Sequence, residues 1–197
     1  MSIEAIANQP CYLNGRFTAL GQAQVSVMDR GFIFGDGVYE VVPVYGGKPF
    51  RFDQHMARLE RSLAAIDLPN PMTAEQWRAV MHELVQRLVA NGDASADADQ
   101  MVYLQITRGV APREHAMPKG LTPTVFLTTQ VLKPVPLAQR AAGAACVTAE
   151  DFRWQMAHIK SISLLGAVLS RQISADADAT ETVMFRGQFL SEAAASN

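Results

Sequence analysis

Lys160 is the residue whose neighbours in the sequence most clearly favour chemistry. It lies in EDFRWQMAHIKSISLLGAVLSRQ, residues 150–172, with Ile159 and Ile162 close by. The residues before it alternate as in a strand and those after it recur with helical spacing, which predicts a strand-to-helix junction at the lysine. Apolar surroundings favour a neutral amine, which can form Schiff bases with carbonyl compounds. The alternative is a lysine whose alkyl chain covers apolar surface at a helix start.

A second group of candidate residues lies in RGVAPREHAMP, residues 108–118, which we call the cationic loop. It follows a predicted strand, residues 101–107, and carries Arg108, Arg113 and His115. Cationic side chains in a loop at a strand end suit an anionic ligand such as a carboxylate. A solvated charged turn is the alternative.

Arg58 is a candidate anion-binding residue on a helix for which Asp53 is the predicted N-cap. The apolar side of this helix consists of Met56, Leu59, Leu63 and Ile66. Arg58 can point inward along this packed helix. It can also be an exposed arginine that pairs with Glu60 or Asp67.

Three glycines, Gly31, Gly35 and Gly37, interrupt the segment DRGFIFGDGVYEVVPVYGG, residues 29–47. Their density predicts tight turns or a backbone close to a bound group, followed by a strand over residues 38–45. The spacing does not match a G-x-G-x-x-G nucleotide loop, and no helix is predicted after it.

Two turns predict hairpins. Asn14-Gly15 favours a type I′ turn between residues 11–13 and 16–17, because both central positions of that turn need positive φ. Arg186-Gly187 predicts a second hairpin between residues 182–185 and 188–191.

Thr73 and Gln76 form a capping-box pattern that predicts the start of a second helix, and Asn91-Gly92 predicts its end. The other predicted elements are strands over residues 124–131 and 144–148 and a helix from the lysine segment to about residue 174.

The composition excludes several classes of partner. The 197 residues are 49% hydrophobic with a formal net charge of −2, and their interspersed charges form no basic stripe for nucleic acid. No apolar run is long enough for a membrane span and the start has no secretory pattern, so we expect a cytoplasmic protein. Cys11 and Cys146 are expected to be buried reduced thiols, and no histidine or cysteine spacing indicates a metal site.

Three segments together resemble the fold-type IV aminotransferases that depend on pyridoxal 5'-phosphate (PLP), and within them the D-amino acid aminotransferase branch. These are DRGFIFGDGVYEVV, the RGVAPREH loop, and DFRW followed by HIKSISLLGAVL, in the order of the family. The resemblance implies an α/β fold of two domains (α+β) and a homodimer. It implies PLP-dependent transamination of D-amino acids, of the type in which D-alanine and 2-oxoglutarate give pyruvate and D-glutamate.

The resemblance also implies roles in cofactor binding. Lys160 matches the lysine that forms the Schiff base (internal aldimine) with PLP and moves the substrate proton. Arg58 matches the phosphate-binding arginine, and Glu192 matches the carboxylate that meets the pyridine nitrogen. Arg153 matches an arginine near the phenolic oxygen of the ring.

Substrate binding is implied for three further residues. Tyr39, Arg113 and His115 match the trio that holds the substrate α-carboxylate, the last two reaching across from the partner subunit. Arg113-Glu114-His115, a charged carboxylate-binding segment, favours the D-amino acid branch over the aminodeoxychorismate lyases, branched-chain aminotransferases and amine transaminases of the same fold. The alternative from outside the enzymes is a catalytically silent binding protein that keeps the fold.

The predicted domains are an N-terminal α/β domain over residues 1–133, a Pro-containing linker over 134–139, and the first part of a PLP-binding domain over 140–197. Relatives continue for roughly half a domain more, so we expect the C-terminal domain to be incomplete here.

Overall fold

The computed structural model describes residues 6–115, 117–151 and 158–196 and combines helices with two sheets. The strands are β1 (Pro10–Leu13), β2 (Arg16–Ala19), β3 (Gly37–Tyr45), β4 (Lys48–Pro49), β5 (Gln100–Thr107), β6 (Thr124–Val131), β7 (Cys146–Glu150), β8 (Glu181–Arg186) and β9 (Phe189–Ala193). The helices are α1 (Arg30–Phe34), α2 (Phe52–Ala64), α3 (Ala74–Ala90), α4 (Leu137–Ala142) and α5 (Leu165–Asp176), with a 3₁₀ turn at Leu20–Gln22. The predicted mixture of helices and sheets is confirmed.

Two compact units divide the chain. The first comprises Met1–Lys133 with His158–Ile162, and the second comprises Pro134–Ala157 with Ser163–Asn197. The second domain predicted from the sequence, residues 140–197, includes residues 158–162. The structure instead groups them with the first unit, because their backbone pairs with β3. The predicted linker, residues 134–139, also runs into α4, which begins at Leu137.

The first unit contains a six-stranded antiparallel sheet in the order β2-β1-β6-β5-β3-β4. Successive side chains alternate between the faces of a strand, so β3 turns Val38, Val42 and Val44 to one side. These valines share a buried core with the apolar residues of α2 and α3, including Leu59 and Trp77. Each fully buried side chain of this size contributes about 1.5–3 kcal/mol, so this core stabilises the unit.

The second unit contains the three-stranded sheet β7-β8-β9. β7 and β8 are parallel and α5 lies between them in the chain, as a parallel pair requires a crossover. The hydroxyl of Thr182 on β8 donates to the backbone carbonyl of Ser170 on α5 at 2.8 Å. This bond ties the helix to the sheet.

The first hairpin and the capping box form as the sequence predicts. Asn14 and Gly15 both have positive φ, at 47° and 92°, and join β1 to β2. The side chains of Thr73 and Gln76 each accept from the other's backbone N–H, at 3.3 Å and 2.8 Å, at the start of α3. These local patterns need no tertiary contact, which is why the sequence alone predicts them.

Three local predictions were wrong in detail. The glycine-rich segment contains a helix, α1, because the Asp29 side chain accepts from the backbone N–H of Gly31 at 2.8 Å and caps it. Arg51, in the left-handed region at φ 47°, precedes α2, so Asp53 lies in the first turn instead of capping it. The second hairpin turns one residue later than predicted, since Arg186 pairs with Phe189.

Cys11 is buried as expected, whereas Cys146 is exposed at the start of β7, an outer strand of the small sheet. No helix among the described residues is long and apolar enough to cross a membrane. Within the same parts of the chain, no three histidine, cysteine or acidic side chains group as metal ligands would.

Candidate active site

The backbone of Lys160 is attached to the outer edge of β3. Its carbonyl accepts a hydrogen bond from the backbone N–H of Tyr39 at 3.0 Å, and the N–H of Ile162 donates to the carbonyl of Gly37 at 3.2 Å. This edge is open to the segment because β4 pairs only with the far end of β3. Residues 158–162 therefore add a short antiparallel bridge to the sheet and fix the position of the lysine.

Gly37 makes this close pairing possible. A Cβ atom at this position would lie 2.5 Å from the carbonyl oxygen of Ile106 and 3.1 Å from Cδ1 of Ile162. Both distances are shorter than ordinary van der Waals contact, so any side chain would push β5 or the lysine segment away. The glycine density seen in the sequence thus has a packing cause here.

The amine of Lys160 lies over an aromatic ring. Its Nζ is 3.9 Å from the ring centroid of Tyr39, a cation–π distance, and the residue is partly buried. Tyr39 stacks in turn on Tyr103 with centroids 5.7 Å apart, and the Tyr103 hydroxyl donates to Oε1 of Gln105 at 2.7 Å. Burial, with a smaller contribution from Tyr39, raises the pKa of Tyr103 to about 12. The ion pairs found within the described ranges do not include Lys160.

Arg58 points inward from α2 and binds Glu40 of β3. Its Nε and Nη2 donate to the two carboxylate oxygens at 2.6 Å and 2.7 Å, and Nδ1 of His55 lies 2.8 Å from the same carboxylate. Glu40 is fully buried, whereas 39% of the Arg58 side chain is exposed. The alternative partners considered from the sequence, Glu60 and Asp67, are not the ones that the arginine binds.

The charges of this cluster stabilise one another. Burial by itself raises the pKa of Glu40, but the hydrogen bonds and charges of Arg58 and His55 outweigh it and lower that pKa. The hydrogen bond to Glu40 raises the pKa of Arg58 against the opposing effect of burial, and Tyr39 adds a smaller increase. Tyr39 therefore lies within electrostatic reach of Arg58 while its ring contacts Lys160.

Glu40 was missed in the sequence analysis. The sequence contains an indication of its role. Its carboxylate lies between Val38 and Val42 on the face of β3 that packs into the core. A buried charge of this kind requires a partner. The sequence does not show which of the nearby cations supplies it.

Arg113 and His115 lie beside α1. The Arg113 guanidinium is 5.5 Å from the ring centroid of Phe34, and the His115 ring is 5.5 Å from the same ring, centroid to centroid. The backbone carbonyl of Glu114, between them, accepts from Nη1 of Arg30 at 2.6 Å. Their contacts are thus with α1, and Tyr39 contacts Lys160 and Tyr103.

The remaining predicted residues are Glu192 and Arg153. Glu192 lies on β9 in the second unit and is partly buried. Arg153 lies outside the described residues. Their predicted roles stay predictions.

The model of the family described as Amino-transferase class IV matches residues 37–197. The chain belongs to this family. The match begins at Gly37, where β3 pairs with the backbone of residues 158–162. It includes Lys160, Arg58, Arg113 and Glu192.

Individual relatives agree with this membership. The chain is 40% identical over 188 residues to a D-alanine aminotransferase of Listeria innocua and 37% identical over 184 residues to one of Bacillus licheniformis. These alignments cover 94% and 93% of this chain and 62% of each relative. The chain thus spans somewhat under two thirds of the length of these relatives.

Solved structures show the same fold. A PLP-bound hypothetical aminotransferase from Mycobacterium tuberculosis superposes with a TM-score of 0.74 at 23% identity, over 94% of this chain and 65% of that one. A fold IV-transaminase from Curtobacterium pusillum gives 0.73 at 24% identity, over 91% and 59%. The predicted fold type is confirmed.

Class IV aminotransferases in general use PLP, and the described residues fit its aldehyde and phosphate. The aldehyde requires a positioned lysine amine; the edge pairing positions the backbone of Lys160, and its Nζ lies over the Tyr39 ring. The phosphate requires a fixed guanidinium with free donors. Arg58 binds Glu40 through Nε and Nη2, so Nη1 takes no part in this ion pair, and the side chain is partly exposed.

Proposed function

We propose that the protein is a PLP-dependent aminotransferase that moves the amino group of a D-amino acid such as D-alanine to a 2-oxo acid such as 2-oxoglutarate. The fixed amine of Lys160 over the Tyr39 ring is the observation that carries the proposal. The D-alanine aminotransferases that match this chain support the choice of substrate.

Each cofactor-binding residue has a chemical task in this proposal. When bound, PLP accepts the electrons that the substrate Cα releases on losing its proton. Lys160 holds the cofactor through its amine and carries that proton, and Arg58 donates to the phosphate. Glu192 would keep the pyridine nitrogen protonated, and Arg153 is assigned to the phenolic oxygen of the ring.

The substrate carboxylate is assigned to Tyr39, Arg113 and His115. A phenol, a guanidinium and an imidazole supply directional donors, and a guanidinium can bind a carboxylate at two points. Anchoring the carboxylate fixes which enantiomer turns its Cα hydrogen to Lys160, so these residues decide handedness.

We propose that Arg113 and His115 act in the partner subunit of a homodimer. Exposed apolar side chains in and beside the cationic loop support this arrangement, because such surface favours burial against another chain. They are Val27, Met28, Phe32 and Val110, with exposed fractions of 69%, 39%, 72% and 51%.

The experiment is a comparison of enantiomers with the PLP-loaded protein. Pyruvate formation from alanine and 2-oxoglutarate is expected to be much faster for D-alanine than for L-alanine. Faster turnover of L-leucine or L-glutamate than of D-alanine would contradict the proposal and favour a branched-chain type of enzyme. Absence of all turnover, with PLP bound, would favour a silent binding protein.

A further inference from the structure

Asp36 joins two buried arginines, Arg30 of α1 and Arg108, the first residue of the cationic loop. Its Oδ2 atom accepts from Nε of Arg30 at 2.6 Å and from Nε of Arg108 at 2.8 Å. The exposed fractions of the three side chains are 10%, 3% and 4%, so water screens these charges little. Such a cluster is stable only if every member keeps its partners, since an uncompensated buried charge is strongly destabilising.

Arg30 extends from this carboxylate to the part of the loop that carries the predicted substrate-binding residues. Its Nη1 donates to the carbonyl of Glu114 at 2.6 Å, and its Nη2 is 3.5 Å from the carbonyl of His115. Its guanidinium also lies 4.7 Å from the ring centroid of Phe34, the ring that Arg113 and His115 both contact. One side chain thus binds the backbone carbonyls on both sides of the His115 Cα and contacts the Phe34 ring.

Arg108 fixes the base of the same loop. Its two terminal nitrogens donate to the carbonyls of Ile66 at 2.5 Å and Asp67 at 3.1 Å, just after α2. The next residue, Gly109, has φ 96°, and a Cβ there would lie 2.1 Å from the carbonyl oxygen of Thr122. The base of the loop is therefore held on both sides and has little freedom to move.

We infer that the cluster of Asp36, Arg30 and Arg108 positions the cationic loop and so sets the affinity of the enzyme for the substrate carboxylate. The three residues are positioning residues, because they act through the backbone that carries Arg113 and His115. This inference rests on the proposed function for the identity of the ligand. The hydrogen bonds that hold the loop do not depend on that function.

The test compares Asp36→Asn and Arg30→Lys with the parent holoenzyme. Asp36→Asn keeps the shape of the side chain but removes the charge that both guanidiniums share, and Arg30→Lys keeps the charge but cannot bind both partners. Five quantities are measured: kcat and KM for D-alanine, the inhibition constant of propionate, the Kd of PLP, and hydrogen exchange of residues 108–115. Propionate is the probe of carboxylate binding alone, because it has no amino group to react.

Two controls separate positioning from general loss of stability. Asp93→Asn makes the same chemical change in an exposed loop after α3. Leu88→Val makes a small cavity in the core of the first unit and lowers Tm without touching the cluster.

In the cluster variants, KM for D-alanine and the inhibition constant of propionate should rise together by about 10- to 100-fold, as expected for a misplaced binding group. Hydrogen exchange in the loop should accelerate, while kcat and the Kd of PLP change by less than about threefold. The two control variants should leave all five quantities unchanged.

The inference is overturned if the parent enzyme transaminates D-alanine while both cluster variants keep its KM and its loop protection. An equal response to Leu88→Val would also overturn it. If the parent transaminates no D-amino acid, this result contradicts the proposed function but does not decide the inference about the loop. Loop protection and propionate binding, measured by calorimetry, then still decide whether the cluster positions the loop.

Discussion

The guanidinium of Arg58 and the carboxylate of Glu40 form a two-point ion pair that joins α2 to β3, with N–O distances of 2.6 Å and 2.7 Å. The pair is asymmetric, because Glu40 is fully buried and Arg58 is partly exposed. Buried Glu40 thus fixes the orientation of the partly exposed Arg58 guanidinium. His55 supports the arrangement from the same helix, 2.8 Å from the carboxylate.

Glu40→Gln should weaken the binding of PLP, since Arg58 would lose the anion that holds its orientation. Charge-assisted hydrogen bonds of this kind contribute about 1.5–3 kcal/mol, so we expect the Kd of PLP to rise by about 10- to 100-fold. Fluorescence titration of the apoprotein measures it. The matched control is Glu83→Gln, whose carboxylate accepts from Nε of Arg87 at 2.8 Å on the exposed side of α3. An equal Kd in the two variants would show that Glu40 does not position Arg58.

The same carboxylate should make stability depend on acid pH. The pKa of Glu40 is lower in the folded protein than in the unfolded chain, where it is about 4.3. Its contribution to the free energy of unfolding is therefore present above pH 4.3 and is lost as the pH falls through the folded pKa. Asp36, whose pKa the two arginines lower against the effect of burial, acts in the same direction.

Urea unfolding between pH 7 and pH 3 tests this dependence. Glu40→Gln should lower the free energy of unfolding at pH 7 by about 1–3 kcal/mol, and its curve should approach that of the parent in acid. Glu83→Gln should change it by less than about 1 kcal/mol, as exposed pairs do. Curves for Glu40→Gln and the parent that stay parallel down to pH 3 would contradict the assignment.

The sequence is sufficient for elements whose cause is local. The turn at Asn14-Gly15, the capping box of Thr73 and Gln76 and the alternation along β3 all follow from neighbouring residues. The partner of a buried charge cannot be predicted from neighbouring residues. Glu40 and Arg58 are 18 residues apart and meet only when α2 packs on the sheet.

The place of the lysine segment could not be predicted from local patterns either. Lys160 accepts its backbone hydrogen bond from Tyr39, more than a hundred residues earlier in the chain, at a sheet edge left open by the short β4. The short helix α1 escaped prediction because five residues give almost no periodicity and glycines usually indicate turns. The local signal for this helix is its Asp29 cap.

Gly37→Ala should displace the segment that carries Lys160 while leaving the lysine itself unsubstituted. The new methyl group would collide with the Ile106 carbonyl and the Ile162 side chain, and overpacking of this kind destabilises by about 1–3 kcal/mol. We expect a lower Tm and weaker attachment of PLP to Lys160. Val41→Ala, a partly buried site on the same strand, is the control. Normal attachment of PLP in Gly37→Ala would show that the close pairing is not needed to hold the lysine.

Arg113→Ala should lower kcat/KM for D-alanine by about 10- to 100-fold, because it removes a charge-assisted contact to the substrate carboxylate. The Kd of PLP should stay the same, since this residue is assigned to the substrate alone. Steady-state kinetics with D-alanine provide the measurement, and Arg16→Ala, at the exposed first residue of β2, is the control. Unchanged kinetics would remove Arg113 from the substrate site.

The central claim is that Lys160 is the residue to which PLP attaches, and borohydride reduction followed by peptide mapping tests it most directly. Reduction makes the reversible bond between the amine and the cofactor permanent, so the mass of the modified peptide identifies the lysine. We predict the label on Lys160, its absence in Lys160→Ala, and its retention in the loop variant Lys119→Ala. A label on Lys119 or Lys133 in the parent protein, with Lys160 unmodified, would contradict the account.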